Sequence, residues 1–66
     1  MLYSSVPMYF KFKMNKLLPS DQIIKGELIN NQTVKTSFHN GYMLIEKFVP
    51  YHVAIECLNE EIWKIV

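Results

Sequence analysis

The stretch Thr33–Val49, TVKTSFHNGYMLIEKFV, carries the strongest structural signal in the chain. Asn and Gly most readily take the positive φ angles of a two-residue type I′ turn, and β-forming residues flank Asn40-Gly41 on both sides. The stretch therefore reads as a β-hairpin. With the turn at Asn40-Gly41, His39 faces Tyr42, Phe38 faces Met43, Thr36 faces Ile45 and Lys35 faces Glu46. Val34, Thr36, Phe38, Met43, Ile45 and Val49 then share one face, while Lys35 and Glu46 form a cross-strand pair on the other. A three-residue loop His39-Asn40-Gly41 sets Lys35 against Ile45 and Val34 against Glu46, scattering charge over both faces. The two-residue turn is the better reading.

Upstream, Asn30-Asn31-Gln32 reads as the preceding hairpin loop. A three-residue loop there puts Leu28 opposite Val34 and Ile24 opposite Phe38, extending the apolar face. The run Ile23–Ile29 is β-rich but interrupted by Gly26, where a bulge or a sharp barrel bend is expected. Ile23 and Ile29 fall on the opposite face, so the second side of the sheet needs cover. Pro19-Ser20-Asp21 breaks the chain between this run and Met8–Met14, which alternates apolar Met8, Phe10, Phe12 and Met14 with Tyr9, Lys11 and Lys13. Residues 1–7 read as a loose arm, and residues 8–66 as a single small β domain.

Downstream, Pro50-Tyr51 ends the hairpin and two patterns compete. As strands, 52–58 and 62–66 flank a loop Asn59-Glu60-Glu61, with Val53, Ile55, Cys57, Trp63 and Ile65 inward and Glu56 facing Lys64 outside. As a helix, Ile55, Leu58, Ile62 and Ile65 form one stripe, with Glu56, Asn59, Glu60 and Lys64 opposite. Val, Ile and Trp lose rotamer freedom in helices, which favours strands. Five or six short strands in 66 residues predict an all-β barrel of SH3-like or OB-like type, because closure removes exposed edges. The alternative is a four-stranded antiparallel sheet with a C-terminal helix.

Half of the residues are hydrophobic, more than so small a core can bury, which predicts a partner surface or a homo-oligomer. The single cysteine cannot form an internal disulfide and suits a reducing compartment. The opening residues lack the basic segment and apolar run of a signal peptide, and no run approaches a membrane span. A soluble, cytoplasmic protein is expected. The net charge of +1 implies no acidic or basic partner. All seven cations are Lys, so the planar fork that reads phosphates and guanine edges bidentately is missing.

Two widely separated glycines exclude a phosphate-cradling loop. Cys57, with His39 or His52 as base, has the residue types of a nucleophile, but its neighbours Ile55 and Leu58 point to a small core residue. The same residues with a glutamate have no paired metal-ligand spacing, so no metal or cofactor is expected. Glu60 and Glu61 read as a charged turn rather than an acid-base pair. A non-enzymatic, regulatory protein-binding module is the leading expectation, acting through an aromatic and methionine surface of Met1, Tyr3, Tyr42 and Tyr51. The alternative is a single-stranded nucleic-acid binder that stacks bases on Tyr9 and tracks phosphates with Lys11, Lys13, Lys16 and Lys25.

Overall fold

A computed structural model describes residues 2–14 and 22–66. Met1, Lys16 and the Pro19-Ser20-Asp21 turn lie outside the described residues. The elements are β1 (Tyr9–Met14), β2 (Ile24–Asn30), β3 (Thr33–His39), β4 (Leu44–Pro50), α1 (Tyr51–Asn59) and β5 (Trp63–Ile65). They build one antiparallel sheet of order β4-β3-β2-β1-β5.

The first four strands form a meander, and β5 is added beside β1 at the far edge. The two edge strands, β4 and β5, are not paired with each other. The sheet is open, and the described residues do not form the expected SH3-like or OB-like barrel. The architecture lies nearer the alternative, with a fifth strand added after the helix.

Topology explains why 52–58 is helical rather than extended. Four interstrand spacings, about 19 Å, separate β4 from β5, and the chain must cross the sheet to bridge them. The nine residues of α1 span about 13 Å, and the turn Glu60–Ile62 completes the crossing. The helix also carries a usable stripe. Ala54 and Leu58 are buried, and Tyr51 and Ile55 pack beside them on the core. A helix with that spacing covers the sheet, whereas a strand would turn half of these side chains away. Expectation and structure agree on the end of the chain, where Trp63–Ile65 is a strand.

The core gathers Val6, Phe10, Phe12, Ile24, Val34, Ala54, Leu58 and Trp63 between the helix and one face of the sheet. Trp63 stacks on Phe12 with ring centroids 4.3 Å apart, and Phe10 lies 5.6 Å from Phe12. Residues 2–7, expected as a loose arm, are tied to the helix. The Tyr3 N–H donates to Asn59 Oδ1, and Asn59 Nδ2 donates back to the Tyr3 carbonyl at 3.2 Å. The Val6 N–H donates to the Tyr51 hydroxyl oxygen at 2.9 Å.

The central hairpin pairs Phe38 with Ile45, Ser37 with Glu46, Thr36 with Lys47 and Val34 with Val49. This register is displaced by two residues from the one expected, and Asn40–Met43 forms a four-residue tip. A type I′ turn needs positive φ at both central residues, and here only Gly41 has it, at 100°. Asn40 instead accepts from the Tyr42 and Met43 N–H groups through Oδ1 at 2.9 and 3.0 Å. Because side chains alternate with period two, a shift of two leaves the residues of β3 and β4 on their expected faces, while Met43, expected on the apolar face, falls in the exposed tip. Lys35 still reaches Glu46, now diagonally at 3.5 Å, and also Glu27 on β2 at 3.7 Å. In the β2–β3 hairpin Leu28 pairs with Val34 as expected.

The bulge expected at Gly26 falls instead between Leu28 and Asn30. Gly26 is regular strand, paired with Phe10. Its missing side chain makes room for the Phe10 ring, since a Cβ at Gly26 would sit 2.4 Å from Phe10 Cζ. Gly26→Ala therefore overpacks a buried ring. It should cost about 1–3 kcal/mol and lower the thermal midpoint by roughly 4–8 °C per kcal/mol. The cost should shrink in a Phe10→Leu background, and equal costs in both backgrounds would show that the ring is not the obstacle.

Candidate functional site

Helix α1 and the N-terminal arm cover one face of the sheet, and among the described residues no element covers the other. By register and alternation that open face carries Tyr9, Lys11 and Lys13 from β1, Lys25 and Glu27 from β2, and Lys35 and Ser37 from β3. His39 from β3, Leu44, Glu46 and Phe48 from β4 and Lys64 from β5 lie on the same face. The β4 side is apolar, with Phe48 65% and Leu44 58% exposed. The β1 side is basic, because Lys11 stands directly opposite Lys25 and Lys13 directly opposite Lys64.

The structure thus brings four of the five residues of the alternative reading, Tyr9, Lys11, Lys13 and Lys25, to one patch. Lys16 lies outside the described residues. Lys64 belongs to the same patch and was missed. Its signal was the alternation in Trp63-Lys64-Ile65, which turns a lysine outward, but only the pairing of β5 with β1 shows which lysines it joins.

The four residues of the leading reading are not brought together. Tyr42 stands 92% exposed at the hairpin tip, while Met1 lies outside the described residues. Tyr3 and Tyr51 are half-buried against the core, and their polar groups hold the arm to the helix. Met43 and Leu44, next to Tyr42 in the chain, are exposed apolar side chains, as is Phe48 further down β4 beyond Glu46. Of these, sequence reading turned Met43 toward the core and left Leu44 and Phe48 unassigned.

Two depressions flank Lys25. One, of about 350 Å³, is lined by Tyr9, Phe10, Lys11, Lys25 and Gly26. The other, of about 410 Å³, is lined by Ile23, Lys25, Ser37, Phe38, His39 and Leu44.

Of the residues considered for catalysis, His39 ends β3, while His52 and Cys57 lie five residues apart on α1. His39 sits at the hairpin tip, where its Nδ1 accepts from the Gly41 N–H at 3.2 Å. His52 is exposed near the start of α1, and Cys57 is half-buried near its end. Burial pushes the Cys57 thiol up from its usual range, and the nearby Glu60 and Glu56 carboxylates push it the same way. A nucleophilic cysteine needs the reverse. Among the described residues no three of His, Cys, Asp and Glu group as metal ligands, and no helix is long and apolar enough to cross a membrane.

No protein-family model, curated protein or solved structure matches the chain.

The raised thiol pKa sets an observable. Alkylation of Cys57 by iodoacetamide near neutral pH should be several-fold slower in the folded protein than in the denatured chain. Its rate should rise with pH at a midpoint above that of a free cysteine. A midpoint below neutrality would reinstate Cys57 as a reactive group.

Proposed function

We propose that the protein is a non-enzymatic, regulatory binding module that acts by occupying the surface of a protein partner. The observation that carries this reading is the run of exposed side chains Tyr42, Met43 and Leu44 at the hairpin tip, with Phe48 also exposed on the edge strand beyond Glu46. Folding gains nothing from leaving these side chains in water, and adjacent exposed aromatics and methionine are the composition of interface centres. Half-buried Tyr3 and Tyr51 serve instead as the support that holds the arm in place.

Self-association belongs to the same proposal and has a constraint on its geometry. Two copies joined along β4 into one continuous sheet keep each face on its own side, so only registers centred on a residue are allowed. The register using all of Leu44–Pro50 is centred on Lys47 and sets Lys47 against its own copy. A shift of one residue toward the tip sets Glu46 against Glu46. Like charges directly opposite are unfavourable, which is how edge strands discourage pairing. These two registers are disfavoured, and the exposed apolar side chains offer a route to homo-oligomers that avoids them.

Immobilised protein should capture a discrete partner from its source cell, and Tyr42→Ala combined with Phe48→Ala should reduce that capture at least tenfold, as loss of central aromatic contacts does. Both positions are exposed, so the thermal midpoint should hold within a few degrees. Sedimentation velocity on the same pair reports whether the partner is a second copy. Undiminished capture and unchanged sedimentation would place the interface elsewhere.

A further inference from the structure

The basic half of the open face is not explained by the proposal above. Lys11 opposite Lys25 and Lys13 opposite Lys64 place two like-charge pairs side by side on β2, β1 and β5. Such pairs oppose sheet formation. The two glutamates of this face are engaged by Lys35. Among the described residues, neither carboxylate relieves Lys11, Lys25 or Lys64.

The fold therefore segregates charge that the sequence nearly cancels. Among the described residues, five lysines against two glutamates give the face a formal +3, in a chain whose total is only +1. A second copy laid face to face would double this charge, so the complement of the surface is an anion.

We propose that this half of the face binds single-stranded nucleic acid, with Lys11, Lys25 and Lys64 contacting phosphates and Tyr9 stacking on a base. Tyr9 is 70% exposed and stands next to Lys11 on the same strand. It lines the 350 Å³ depression with Lys11 and Lys25, and Lys25 also borders the second depression toward β4. Cations beside an exposed ring on an open surface are the elements of sequence-tolerant single-strand binding. Stacking of this kind requires unpaired bases. Without arginine there is no bidentate reader of base edges, so little base preference is expected.

Anisotropy of a labelled oligothymidylate of about 12 nucleotides tests this on the intact protein. Three phosphate contacts on a single strand predict a log–log salt slope near −2, an affinity loss of about twentyfold between roughly 50 and 200 mM salt. Lys11→Gln with Lys25→Gln should lower the magnitude of that slope by about 1.4. Tyr9→Ala should weaken binding between about fivefold and a hundredfold, while Tyr9→Phe should retain it. Tyr42→Ala should leave it unchanged, which separates this site from the protein-binding strip. Circular dichroism confirms that each variant is folded.

Absence of binding at the lowest salt would overturn the proposal. So would binding that survives the lysine and Tyr9→Ala variants. Preference for phosphatidylserine vesicles or polyglutamate over the oligonucleotide would identify a different anion and overturn it as well.

Discussion

Burial of the Phe12 side chain between sheet and helix is the contact on which the rest of the molecule depends. Phe12 is fully buried, stacked on Trp63 and flanked by Phe10. It couples the first strand to the last, because Trp63 comes from β5 and lies diagonally across the ladder. Removing so large a buried ring costs about 3–5 kcal/mol in typical cores. A domain of this size holds little more than that in reserve. The helix exists in this position because Phe12, Ile24 and Val34 need a lid. The crossing from β4 to β5 supplies that lid without extra chain.

Among the described residues one face is covered and the other is not, and that asymmetry organises the proposed functional surface. One helix and a short arm are all the chain has available to cover the sheet among its described residues. The open face divides into an apolar strip on β4 and the hairpin tip, and a basic patch on β2, β1 and β5. These regions differ in chemistry and in position, so the two proposed partners, a protein and an anionic polymer, would have separate places to contact. Lys35, held between Glu27 and Glu46, marks the boundary.

Much of the arrangement was legible in the residues themselves, for reasons that can be named. The alternation Phe10-Lys11-Phe12-Lys13 reports which side faces the core regardless of what it packs against. The hairpin around Asn40-Gly41 was read with its tip two residues too short. The faces of its strand residues were nevertheless correct, because an even shift preserves alternation, and only Met43 passed from the apolar face into the exposed tip. The turn type was illegible because it rests on Asn40 Oδ1 capturing two backbone N–H groups, a local competition that composition does not report. Gly26 shows the same limit. Its glycine reflects the ring of Phe10 on the neighbouring strand, which no property of the Lys25-Gly26-Glu27 segment reveals.

By itself, the sequence determined a β-rich domain with an inward apolar face, a central hairpin, and a lysine-bearing first strand beside an exposed tyrosine. Only the tertiary structure decided that the sheet stays open, that 51–59 folds as a helix, and that Lys64 joins Lys11, Lys13 and Lys25. The physical reason is that strand order is a long-range property. Which edge β5 joins depends on where Trp63 can be buried, and that choice both prevents closure and gathers charges that lie far apart along the chain.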